Sequence, residues 1–158
     1  MAGDIHLKLD GIDGESEIKG FEKQIDIDSV RLGAHMQGTA ARGGGLAGGK
    51  GEMQDVVLMK QFDVASPKLF EKCIRGAHID KAEITLKKAG DGAQTYLTIT
   101  LDHVLVKEVS FEGADNGGNP METVTLHFDK INMDYKPQQI GGTLGGVSNF
   151  NFSQKANS

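Results

Sequence analysis

The sequence predicts a mainly β domain: an antiparallel β-barrel with one flanking α-helix and a long glycine-rich extended loop. Three observations predict it. Through most of the 158 residues, apolar side chains alternate with polar ones at period two, the pattern of strands with one buried face and one wet face. In two places the alternation slips by one residue, as it does where a long strand changes face while its sheet curls. One segment, close to residues 67–75, carries apolar residues at helical spacing instead.

Taken in order, Ile5, Leu7 and Leu9 alternate with His6 and Lys8 in a first strand that ends in the turn-rich segment Asp10 to Glu15. A second strand begins near Glu22. Its apolar positions are Ile25 and Ile27, then Val30 and Leu32, so the parity changes across Asp28 and Ser29 and a bulge or corner is expected there. If Val30 and Leu32 point into the barrel, Ser29 and Arg31 point outward. Further strands are expected over Val56 to Phe62, over Ala82 to Leu86, and over Tyr96 to Phe111 with Leu97, Ile99, Leu101 and Leu105 inward. The second slip separates Val124, Leu126 and Phe128 from Ile131, Met133 and Tyr135. Residues 139–158 form a tail, and the whole chain reads as one domain.

The helix has its own signals. Ser66 suits the N-cap and Pro67 the first helical position, while Gly76 ends it. Leu69, Phe70, Cys73 and Ile74 form an apolar stripe expected to pack on the barrel, and Lys72 and Arg75 complement the dipole in the last turn. On that stripe Cys73 reads as a small core residue rather than a nucleophile.

Composition narrows the function. A net charge of −5 with dispersed lysines and arginines offers no basic stripe for nucleic acid. The opening MAGDIHLKLD lacks the cationic and apolar regions of a cleavable leader, and no apolar run approaches spanning length, so a cytosolic chain without membrane insertion is expected. A single cysteine allows no internal disulfide.

Candidate chemistry is thin. Gly43 to Gly51, GGGLAGGKG, matches G-x-G-x-x-G and the glycine-lysine part of a Walker loop, yet Gly51 stands where a magnesium-binding hydroxyl is needed and a strand follows where a helix is needed. His6, His35, His78, His103 and His127 are spread singly and read as solvated strand histidines. Asp10, Asp13 and Glu15 miss the calcium-loop frame. No G-x-S-x-G elbow frames a nucleophile. The expectation is therefore a non-enzyme with no catalytic residue, cofactor or metal.

What a bland domain leaves unexplained is the stretch from about residue 37 to 51, rich in glycine and without a core pattern. Loops of this length are uncommon inside compact domains and are usually functional or disordered. Folded back as a hairpin with about seven residues a side, it reaches roughly 20 Å, enough to touch a neighbouring subunit. Gly38, Arg42, Gly44, Leu46, Gly48, Lys50 and Glu52 are the candidate contact residues, with glycines keeping the backbone adaptable until a partner orders it.

The chain as a whole resembles the haemolysin-coregulated proteins (Hcp), tube subunits of bacterial type VI secretion systems. The likeness runs through DIHLKLDGIDGES, QIDIDSVRLG, the glycine-rich loop leading into MQDVVLMKQFDVASPKL, AEITLKKAG, YLTITLDHVLVKEVS and VTLHFDKINMDYKPQ. It implies homohexameric rings stacked into a hollow tube, capped by a VgrG-like spike protein, enclosed by contractile sheath proteins and sheltering effector proteins in the lumen. It also implies assembly in the cytoplasm and export without a cleaved signal peptide. By the same resemblance the Gly38 to Gly51 loop docks on the next ring. The alternation adds a further expectation, that the outward face carrying Ser29 and Arg31 lines the bore and helps set what cargo is retained. Val30 and Leu32 stand where many members carry tryptophan. The competing expectation is a monomeric β-barrel binding module for a small molecule or peptide.

Overall fold

The computed structural model describes residues 3–40, 46–89, 94–137 and 145–158. Among them are ten strands and one helix: β1 (Asp4–Leu9), β2 (Ile25–Ile27), β3 (Ser29–Arg31), β4 (Ala34–Ala40), β5 (Leu46–Met53), β6 (Val56–Gln61), α1 (Ser66–Arg75), β7 (His78–Lys87), β8 (Thr95–Glu112), β9 (Met121–Tyr135) and β10 (Ser148–Ser153). The main sheet runs β2-β1-β7-β8-β9-β6-β3, with β10 also paired to β9; β4 and β5 form a separate two-stranded sheet. All the pairings are antiparallel.

The first parity slip closes the barrel. Ile27 pairs with Ile5 of β1, whereas Val30 pairs with Leu58 of β6, so one bent run bridges the two ends of the sheet. At the corner the Asp28 N–H donates to the Met59 carbonyl at 2.7 Å, which keeps the bent backbone satisfied. Val30 and Leu32 pack against the core, and Ser29 and Arg31 are exposed, as the alternation predicts.

The second slip is broader than the sequence suggests. Successive inward residues stand three apart in three neighbouring strands at one level: Ile79 and Ala82, Leu101 and Val104, Phe128 and Ile131, all buried and mutually paired. The sheet bends there as a unit, with His103 at φ 53°. The expectation that Leu105 faces inward therefore fails. Beyond the bend Val104 and Val106 take the buried positions, and Leu105 is half-buried on the other parity.

Helix α1 packs on β8. Its N-cap is Ala65 with no side-chain cap, not Ser66; the Ser66 hydroxyl is drawn into a buried polar cluster instead. Asp63 supplies the turn, accepting the Ala65 N–H at 2.9 Å. At the other end Gly76 adopts φ 60°, and the N–H groups of Gly76 and Ala77 bond the carbonyls of Cys73 and Lys72. Leu69 is fully buried and Cys73 packs partly buried on the core, but Ile74 is 85% exposed, one step around the helix from the face that meets the barrel. The tail after residue 139 is not structureless in its described part, since β10 pairs along β9 from Ser148↔Tyr135 to Ser153↔Lys130.

Candidate assembly surfaces

The glycine-rich stretch is a projecting arm. β4 and β5 pair from Ala34↔Met53 through Met36↔Gly51, shift register, and continue from Gly38↔Gly48 to Ala40↔Leu46. Seven or eight residues a side extend about 20–25 Å at strand rise. Of the candidate contact residues, Gly38 lies on β4 with open space where a Cβ would stand, and Lys50 and Glu52 are exposed on β5. Leu46 and Gly48 lie on β5 by register, while Arg42 and Gly44 fall outside the described residues. Near the root, His35 Nε2 lies 3.4 Å from Glu52 Oε2 across the ribbon.

The arm is fixed at its root by polar contacts that the sequence reading missed. The Gln54 side chain packs over Gly33, its Oε1 2.4 Å from where a Cβ would stand, so a larger residue there would displace it. The Gln54 N–H donates to the Gly33 carbonyl at 2.7 Å. The next residue, Asp55, receives Lys107 Nζ at 2.8 Å and His127 Nδ1 at 2.8 Å, tying the start of β6 to β8 and β9. Burial pushes the Asp55 carboxyl up, but the hydrogen bonds and charges of Lys107 and His127 outweigh this and hold it below the usual carboxylate range.

The wall bearing Ser29 and Arg31 is a second surface. Register places Ser29, Met59, Thr123 and Ser110 in one row across four strands, and Arg31, Val57, Thr125 and Glu108 in the next. These residues are exposed or half-buried, so the outward face is largely polar and these two rows carry no aromatic side chain. A third feature, invisible in the sequence, is an apolar cleft of about 440 Å³ between the arm root and β10, lined by Val30, Leu32, Met53, Leu97, Met133 and Phe150.

Three buried polar side chains correct or extend the sequence reading. His6 is not solvated: it is 2% exposed, because Phe21 of the loop after β1 stacks on it at 4.5 Å and covers the outer face of the strand. Lys60 and Glu122 are wholly buried and pair at 3.0 Å directly across β6 and β9. Lys60 Nζ also bonds Asp63 Oδ1, Ser66 Oγ and the Gln61 carbonyl, each at 3.0 Å, and Ser66 Oγ donates to Glu122. A signal was present: Lys60 shares parity with Val56 and Leu58, and Glu122 with Val124 and Leu126. Among the described residues, no three His, Cys, Asp or Glu side chains cluster at metal-binding range. No helix of the described residues is long and apolar enough to cross a membrane.

A bent antiparallel barrel with a lateral helix and a projecting ribbon defines the class of protein, a small barrel with an arm, and solved structures share it. One described as a type six secretion system protein superposes with a TM-score of 0.93 at 28% identity, covering 99% of both chains. Hcp1 from Salmonella typhimurium superposes at 0.84 and 34% identity, covering 100% of this chain and 99% of that one. Protein hcp1 of Pseudomonas aeruginosa is 37% identical over 147 residues, 92% of this chain and 91% of the relative. The family model for the type VI secretion system effector Hcp matches residues 6–135. The chain belongs to the Hcp family of type VI secretion proteins.

Proposed function

We propose that this protein is a structural subunit of the type VI inner tube, forming hexameric rings that stack into a hollow tube and carry effectors in the lumen. The observation that carries the reading is the arm. A two-stranded ribbon outside the main sheet is marginal in water on its own, so its stability calls for a partner surface. In this reading the arm supplies that contact between rings through Gly38, Arg42, Gly44, Leu46, Gly48, Lys50 and Glu52. The wall of Ser29 and Arg31 lines the bore, where its largely polar side chains meet cargo. A heterologous, head-to-tail contact closes the ring, and translation along its axis stacks it. A VgrG-like spike, contractile sheath proteins and effectors are the further partners, and the chain leaves the cell through this machinery.

Light scattering after gel filtration, with negative-stain imaging, tests it. A ring of six 16.9 kDa subunits has a mass of about 101 kDa and an annular image. A second reading, a monomeric binding module for a small molecule or peptide, draws on the apolar cleft alone. A 16.9 kDa species at high concentration would favour it and sink the tube.

A further inference from the structure

Strand β10 is attached to the barrel unlike the other strands. It pairs with β9 alone, from Ser148↔Tyr135 to Ser153↔Lys130, and none of its six residues is buried. Strand β2 has only three residues and also stands at an end of the sheet order, yet it buries Ile25 and Ile27. What holds β10 is mostly polar. Asn149 Nδ2 donates to Asn132 Oδ1 at 2.8 Å and to Asp134 Oδ1 at 2.6 Å. Just past the strand, Asp129 forms a clasp: its carbonyl accepts the Gln154 N–H at 2.8 Å, and its carboxylate accepts the Lys155 N–H at 2.8 Å. Gln154 Nε2 donates to the Phe128 carbonyl at 2.8 Å. Bonds of this kind beside solvent are exchanged for bonds to water at small net loss.

The apolar attachment is incomplete. Phe152 packs partly buried on the core, but Phe150 stays 44% exposed and forms one wall of the apolar cleft of about 440 Å³, opposite Val30, Leu32, Leu97 and Met133. A side chain that borders open space lacks contact atoms on that side and gains little dispersion energy from it. Nor does β9 depend on β10 for its place. Over the same residues its other edge pairs with β8, from Leu97↔Tyr135 to Asp102↔Lys130. Lifting β10 therefore breaks one edge ladder and leaves the β8–β9 ladder whole.

We propose that β10 is a detachable strap, which lifts from β9 while the barrel stays folded and so gates the apolar cleft. Seated, it closes one side of the cleft with Phe150; lifted, it admits an apolar group to Leu97 and Met133. Few buried apolar contacts together with solvent-exposed hydrogen bonds are the marks of a segment that opens locally at a fraction of the global unfolding free energy. The inference concerns a single chain and does not rest on the ring reading.

Amide hydrogen exchange on the full-length protein, read by mass spectrometry, tests it. The β10 amides bonded to β9 exchange roughly a hundredfold faster than those joining β8 to β9 and faster than those of β2, and low urea leaves their rate unchanged because lifting exposes little surface. Protection in β10 equal to that of β2 and β8, or a β10 rate that climbs with urea as the core's does, overturns the inference. A second measurement uses Asp129→Ala with Gln154→Ala, which removes the side-chain half of the clasp. In this variant β10 exchanges about tenfold faster than in the parent. Fluorescence of an added anilinonaphthalene sulfonate dye rises as the cleft opens, while circular dichroism and β8–β9 protection match the parent. Unchanged β10 exchange and dye signal, or a loss of protection spread equally over β8 and β9, shows that β10 moves only with the whole barrel and overturns the strap.

Discussion

Lys60 and Glu122 form a fully buried ion pair between β6 and β9. A buried charge whose partner is removed stays desolvated and uncompensated, so Glu122→Ala is expected to cost about 3–5 kcal/mol, read as a lower midpoint in urea. Glu122→Leu combined with Lys60→Met replaces the pair by apolar groups of similar volume and recovers most of that loss; a double variant as unstable as the single one would show that the hydrogen bonds from Ser66 and Asp63 matter more than the pairing. Asp55 makes a pH-dependent contribution. Its folded carboxyl titrates below its unfolded value, so its stabilisation is present above the ordinary carboxylate range and is lost as pH falls through the depressed folded value. Thermal melts of the parent and Asp55→Asn should therefore differ near neutrality and converge in acid; a gap that is constant with pH would contradict this. Asp55 left no mark in the sequence, and inward parity marked Lys60 and Glu122 only singly. A lysine at an inward parity position reads as an exception to the alternation, and only the glutamate opposite it in register makes it a pair.

At the scale of elements, the arm was the most legible feature, because a glycine-rich stretch without a core pattern has few other uses in a compact barrel. Deleting Gly43 to Gly49 is expected to leave rings intact and abolish tubes in electron micrographs. Tubes of normal length from that variant would remove the arm from the stacking contact. The helix was legible in extent but not in its faces. Ile74 belongs to the apolar spacing by type, yet Ser66, Leu69, Phe70 and Cys73 define the side that meets the barrel, and the next residue round is left outside. Leu105 fails for a related reason: the bend at His103 resets parity in three strands together, and the Tyr96 to Phe111 run contains no proline or glycine to announce it. β10 went unseen because SNFNFS is polar and short, and its pairing comes from the open stretch of β9 beyond the end of β6.

For the whole molecule, the proposed bore face predicts a separation between assembly and cargo. Arg31 is exposed on β3 and outside the core, so Arg31→Glu should leave ring mass and melting temperature unchanged while altering retention or export of an effector. Effector handling identical to the parent would take the Ser29 and Arg31 wall out of the lumen.

The class of fold, the barrel-closing corner at Asp28, the extent of the helix and the existence of the arm are determined by the sequence alone, because each is written in local terms: period, parity slip, cap glycine, glycine density. The shared bend, the Lys60–Glu122 pair, the covering of His6 by Phe21 and the anchoring of Asp55 were decided only by tertiary structure. Each depends on which strand lies beside which and on what a loop covers, and one-dimensional alternation records that a residue faces in or out but not what it faces.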